Sequence, residues 1–371
     1  MNKTETKNCQ SCSQEFRIEP EDFDFYEKVK IPIPTWCPDC RLQRRMLFRN
    51  ERIMYKRRCN APGHNEDMIS IFSPDKPDVV YDQKIWWSDT WDPLEYGQEI
   101  DFSKPFFEQI KELWKQVPDI ALFNINAVNS EYCSITEGNK NCYLVIGGDF
   151  NENVLYAAFV FRSREVVDAY WVSDSDLNYE TTDCIKCSRL FYSRYCDECY
   201  DSMFLFNCKN CHDCFGCVNL RNQSYQIYNI QYTKKEYFSK IQEIITMGSF
   251  TSIENTKSRF QEFMLKYPQK FARLVRSVNS SGDDLEGAKN TKNSFSTFGA
   301  AEDCRYVWLS YSNIKDCYDC DHLGLNSERS CECTTLYPGN RVFFSRMIMS
   351  SHDILYSYNC HNCSNLFGCI G

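Results

Sequence analysis

Cys9-Gln-Ser-Cys12 and Cys37-Pro-Asp-Cys40 are two C-x-x-C pairs near the start of a 371-residue chain. Two thiolates three residues apart wrap one side of a tetrahedral ion, and a second pair closes a four-sulfur site. Four sulfurs leave no position for water, so this set predicts one structural zinc rather than a catalytic one. Further on, Cys184/Cys187, Cys196/Cys199 and Cys208/Cys211 repeat the pair every 12 residues. Cys208, Cys211, Cys214 and Cys217 also approximate an iron–sulfur run, as an electron carrier would use. They lack the wider last gap and the proline of the bacterial ferredoxin pattern.

Positive charge is the second chemical signal. Arg41, Arg44, Arg45, Arg49, Arg52, Lys56, Arg57 and Arg58 fall in one stretch with no Gly or Pro. The spacing predicts a helix with Arg41, Arg45, Arg49, Arg52 and Lys56 on one face. Such a face neutralises phosphates, so RNA, the ribosome included, is the expected partner; nothing here reads bases. The opposing reading pairs these arginines with the acidic bulk of a chain whose net charge is −9. That balance excludes a protein coating nucleic acid along its whole length. Of the five histidines none recurs in the repeated motif, and Asp174/Asp176 or Asp319/Asp321 are equally ordinary turn residues. No reaction is assigned.

The elements that must position these groups are repetitive. Asn207-Cys208-Lys-Asn-Cys211-His-Asp-Cys214-Phe215-Gly216-Cys217 returns as Asn359-Cys360-His-Asn-Cys363-Ser-Asn-Leu366-Phe367-Gly368-Cys369. Between them, short β-branched and aromatic runs (Tyr143–Ile146, Val154–Tyr156, Tyr170–Val172, Phe191-Tyr192) are punctuated by Asn, Asp, Ser and Gly, which reads as strands. A 12-residue period, being even, predicts strands whose alternate residues stay inside, stacked as a parallel β-solenoid with sulfur ladders in its core. Leu366 stands where the first copy has Cys214, a swap a core tolerates and a ligand set does not. Cys304, Cys317, Cys320, Cys331 and Cys333 carry the second copy more loosely.

The predicted fold is mainly β with α insertions. It comprises a zinc ribbon over 1–45, a basic helix and Trp-rich connector over 46–130, a first solenoid half over 131–232, a helical insertion over 233–292 and a second half over 293–371. In the connector, Trp86, Trp87 and Trp91 anchor the chain on a neighbouring surface, Cys59 and His64 are too few to bind metal, and a helix from Phe106 stops before Pro118. No apolar run reaches bilayer length, and Met1–Lys7 lacks the apolar segment of a signal peptide. With an odd count of 23 cysteines, the chain reads as a soluble cytoplasmic protein that offers its solenoid surface to a protein partner.

The first 41 residues resemble a bacterial zinc-ribbon family with C-x-x-C, Phe, an acidic residue, Phe-Tyr, Pro and C-x-x-C-Arg. Here these are Cys9, Cys12, Phe16, Asp22, Phe25-Tyr26, Pro34, Cys37, Cys40 and Arg41. The resemblance implies zinc at the four cysteines and no reaction. The whole chain resembles cysteine-rich repeat proteins of small-genome uncultured bacteria. These carry a similar ribbon, an Arg-rich stretch, a Trp-Trp-Ser-Asp-x-Trp-Asp segment and Cys-Phe-Gly-Cys repeats; the resemblance supplies no activity.

Overall fold

The computed structural model describes residues 4–47, 50, 52–246, 249–298, 301–306, 308–311, 318–323, 333–336, 344, 346–348 and 351–371. Two compact units emerge: Met1–Asn50 with Thr90–Asp119 and Lys270–Gly371, and Glu51–Asp89 with Ile120–Gln269. Both are mainly β.

In the unit holding residues 120–269, nine strands lie in sequence order in one sheet. From Tyr143–Ile146 to Ser224–Ile227 every pairing is parallel, and each residue faces the one 12 later: Val160↔Val172, Val172↔Cys184, Cys184↔Cys196. The ninth strand, Ile230–Gln231, turns back antiparallel on Ser224–Ile227.

The inside is set by a finer period than expected. Cys184, Cys187, Leu190, Ser193, Cys196, Cys199, Ser202, Leu205, Cys208, Cys211, Cys214 and Cys217 are all buried, one residue in three. The residue before each has positive φ: Asp183, Lys186, Arg189, Tyr192, Tyr195, Glu198, Asp201, Phe204, Asn207, Asn210, Asp213 and Gly216. The predicted in-out alternation therefore gives way to triplets of one inward, one outward and one left-handed residue. The left-handed residue re-aims the chain, so four triplets make one 12-residue register. Each non-glycine in that conformation costs on the order of 1 kcal/mol, offset here by the ladder bonds and the buried core.

The helices Lys234–Thr246 and Phe250–Met264 fall in the predicted helical segment. They set Tyr237 and Phe260 against Phe204, Phe215, Val218 and Ile227.

In the other unit a seven-stranded sheet runs in order from Leu274–Val275 to Arg346–Ile348. Its register is looser, as the sequence suggests: Leu274↔Leu285 is 11 residues, Gly282↔Ser294 is 12 and Phe295↔Trp308 is 13. Gly282 is required, because at φ 134° a Cβ there would lie 1.7 Å from the Ser294 carbonyl oxygen. The 12-residue step returns in His352–Leu355 with Ser364–Phe367. Cys317 and Cys331 lie outside the described residues. The predicted helix from Phe106 spans Phe106–Trp114, and Trp114 stacks on Tyr358 with ring centroids 4.3 Å apart.

Candidate metal centre and the buried thiols

The first cysteine pair sits in the turn between β1 (Glu5–Asn8) and β2 (Glu15–Ile18), which pair antiparallel. Ser13, at φ 63°, lets the turn close, and the Cys9 N–H donates to Gln14 O. The second pair opens a helix, α2 (Pro38–Met46), with Cys37 at the N-cap and Cys40 in the first turn. A ribbon would place it on a second hairpin. The chain differs because Pro38 presets the first helical position, and the exposed amides of a helix start favour negative sulfur. Between the pairs, the aromatic run forms the helix α1 (Pro20–Val29). The Gln10 N–H to Thr35 O bond ties the two turns together.

The four Sγ atoms lie within 4.8 Å of one another, and Cys12 and Cys37 are 3.7 Å apart. Tetrahedral zinc with bonds of about 2.3 Å needs sulfurs roughly 3.8 Å apart, so the set fits with little movement. Cys9 Sγ accepts the backbone N–H of Cys37 at 3.2 Å and of Ser11 at 3.4 Å. Burial raises the Cys9 thiol, but the backbone donors of Cys37, Cys12 and Ser11 outweigh it and bring it down to about 6. The neighbouring Cys12 sulfur pushes Cys40 up to about 12, as a crowded second thiol does. Cys9, Cys37 and Cys40 are buried with Phe16 and Ile18, while Cys12 is exposed. These residues fit a closed structural metal site.

The basic stretch does not form one helix. Helix α2 ends at Met46, and Tyr55–Arg58 is a strand, β3, paired with β4 (Asp67–Ser70). The predicted face is broken up by partners distant in sequence. Buried Arg41 donates to both carboxylate oxygens of Asp319, at 2.7 and 3.1 Å, and to Trp36 O. Arg45, also buried, lies 3.7 Å from the same carboxylate. Arg44 lies over the Trp36 ring at 5.0 Å. Arg57 is buried on Asn60 Oδ1 and Asp78 O, and Lys56 pairs with Asp67. Arg52 and Arg58 are exposed, and Arg49 lies outside the described residues. In the connector, Trp86 is buried, edge-on to Trp87. Buried Cys59 accepts the Asp82 and Ala61 N–H groups instead of joining a ligand set.

The repeat cysteines are used differently. Each inward Sγ–H donates to the carbonyl two residues back: Cys184 to Thr182, Cys187 to Ile185, Cys196 to Arg194, Cys199 to Asp197 and Cys211 to Lys209, at 3.2–3.4 Å. Ser193 and Ser202 at equivalent positions make the same bond with Oγ, at 2.9 Å. Among the described residues, Cys208, Cys211, Cys214 and Cys217 are not gathered into a metal-binding group; they occupy four successive triplets. Burial raises the Cys133 and Cys360 thiols to about 12, which favours their protonated form; at Cys211 the side-chain hydrogen bonds of Cys199 and Cys208 act the other way and bring the thiol down to about 3.

The three-residue period was missed in the sequence, yet it had a signal. Asn-Cys and Asp-Cys dipeptides (Asn141-Cys142, Asp183-Cys184, Asn207-Cys208, Asp303-Cys304, Asn359-Cys360) each combine a left-handed residue with an inward sulfur. Asn and Asp tolerate that conformation better than other side chains.

No family model and no curated protein matches the chain. Among solved structures it is similar to a crystal structure from Desulfovibrio desulfuricans G20, provisionally described as an acetyltransferase. The identity is 8%, the TM-score 0.13, and 63% of each chain is covered. The chain thus spans less than two thirds of that structure, and a likeness this faint carries no argument about fold or function.

Proposed function

We propose that this is a zinc-stabilised binding protein, in which the four N-terminal cysteines hold one structural zinc and the 12-residue registers form β-solenoid bodies that present a protein-binding surface. The free thiols suit a reducing compartment such as the cytoplasm. One observation carries the reading. In the 120–269 unit, Tyr132, Tyr143 and Tyr156 form an exposed strip, with successive ring centroids 5.2 and 5.6 Å apart. Farther along the same registers, beyond Asp168 and Glu180, stand Tyr192, Phe204 and Phe215, and there the helices Lys234–Thr246 and Phe250–Met264 pack on them. The strip therefore has the character of a surface that packs against another element, and aromatic strips of this kind are enriched in interfaces.

A photo-cross-linker placed at Tyr143 should capture one discrete protein in cells, and Tyr156→Asp should abolish the capture. Capture at Tyr143 no stronger than at Glu165, on a charged column, would count against the reading. RNA cross-links at the exposed Arg52 and Arg58, with no protein at Tyr143, would replace it by the phosphate-binding alternative. Metal analysis of the purified protein tests the zinc separately: one ion per chain is expected.

A further inference from the structure

Asp22, Phe25-Tyr26 and Arg41 stand between and just after the two cysteine pairs, yet none belongs to the four-sulfur set. Each instead reaches the repeats of the same unit. From α1, Asp22 pairs with Arg305 Nε at 2.7 Å, and Glu21 lies 3.3 Å from the same guanidinium. Phe25 stacks on Tyr318 with ring centroids 4.5 Å apart, and the Tyr26 ring lies 4.7 Å from it. From α2, Arg41 and Arg45 engage Asp319. Asp22, Arg41, Arg45, Arg305, Tyr318 and Asp319 are all buried. These contacts end on the turn that aims two of the sulfurs. Cys37 and Cys40 open α2, and Arg41 follows Cys40 directly and donates to Trp36 O, just before Cys37. Ile33 packs both on the cysteine cluster and on the Phe25–Tyr318 cluster.

We infer that Arg305, Tyr318 and Asp319 are positioning residues for the metal centre, so that metal binding and the seating of α1 and α2 on the repeats form one coupled equilibrium. The inference rests on the zinc reading above. A seated α2 presents Cys37 and Cys40 already in place. Unseated, the metal must order that helix start itself, and the ordering cost comes off its affinity. By linkage the effect runs both ways. Release of the metal loosens α1 and α2 and uncovers Tyr318 and Asp319, because buried charges stay buried only in pairs. Zinc supply thus sets whether this face of the repeats is closed.

The test measures zinc affinity of the full chain by competition with a chelator of known affinity, and amide hydrogen exchange with and without zinc. Asp319→Asn and Arg305→Gln should each weaken zinc at least tenfold, although neither residue is among the four ligands. Arg58→Gln, exposed in the other unit, should leave the affinity unchanged. Taking zinc from the unaltered chain should speed exchange at 301–306 and 318–323 at least tenfold and leave the strands from 152 to 227 as they were. Packing alone would lower stability without moving zinc affinity in the folded chain. Affinity within twofold of the parent in both variants, or exchange at 318–323 indifferent to zinc, overturns the inference while the zinc reading stands. A purified parent that holds no zinc removes both. Should the two variants fail to fold, exchange in the unaltered chain decides alone.

Discussion

Cysteine does two opposite things in this chain. At Cys9, Cys12, Cys37 and Cys40 the sulfurs converge, accept backbone N–H groups and crowd one another. In the repeats they diverge, one per triplet, and donate to carbonyls. Spacing alone does not separate the cases, since C-x-x-C occurs in both. What separates them is the backbone between the two sulfurs. A turn or a helix start points both the same way, whereas a left-handed residue before each inward sulfur from Cys184 to Cys217 sends each to a different side. A sulfur that accepts is ready for a cation; a sulfur that donates does what Ser193 and Ser202 do at equivalent positions.

The comparison breaks most sharply under substitution by serine. Cys37→Ser should take zinc from one per chain to near zero, because a closed structural site draws its folding energy, about 10–16 kcal/mol in small zinc domains, from the metal. Limited proteolysis should then cut within the first 46 residues while the 120–269 unit stays protected. Zinc retained in that variant would show that the four sulfurs are not the site.

Next in size is the ion pair behind helix α2. Asp319→Ala leaves buried Arg41 without its carboxylate and should cost about 3–5 kcal/mol in denaturant unfolding of that unit. A loss under about 1 kcal/mol would mean that the pair adds little to holding α2 in place.

In the ladder the effects shrink. Cys211→Ala should cost roughly 1–3 kcal/mol and leave the metal content unchanged. Cys199→Ser should cost less than about 1 kcal/mol, since Ser193 and Ser202 already make its bond. Loss of a metal ion from either variant would turn the ladder into a second metal array.

An effect confined to part of the pH range comes last. Burial raises the Asp149 carboxyl from 3.8 to about 6, although it accepts the Glu137 N–H. The folded state then holds a proton that the unfolded state has released, so its contribution is complete below pH 4 and lost as pH rises through about 6. Asp149→Asn keeps the acceptor without the charge. It should be more stable than the parent above pH 6, by about 1–2 kcal/mol, with the difference vanishing near pH 4. A constant difference across that range would remove the carboxyl from the account.

The 12-residue repeat, the helical segment after Thr233 and the four-sulfur set were legible because each is written locally, in spacing or composition. The triplet was not, since side chains as different as Arg189, Tyr192 and Phe204 occupy its left-handed positions, and only the Asn and Asp members advertise it. Nor could the basic stretch be read correctly. Arg41 and Arg45 are four apart and share a helical face, but the acid that claims them is Asp319, some 270 residues away. Local periodicity placed Arg41 and Arg45 on one helical face but carried the helix on to Lys56, where the chain is a strand, and a distant partner decided what the two arginines do.

The short strand Ile230–Gln231 has one more consequence. A stack of parallel strands ends in a row of open amides and carbonyls, a template for another copy to join end to end. By doubling back antiparallel on Ser224–Ile227 and leading into a helix, this strand fills part of that template from the same molecule. A chain cut before Ile230 should expose more of that rung and self-associate more readily than the parent, which light scattering would measure.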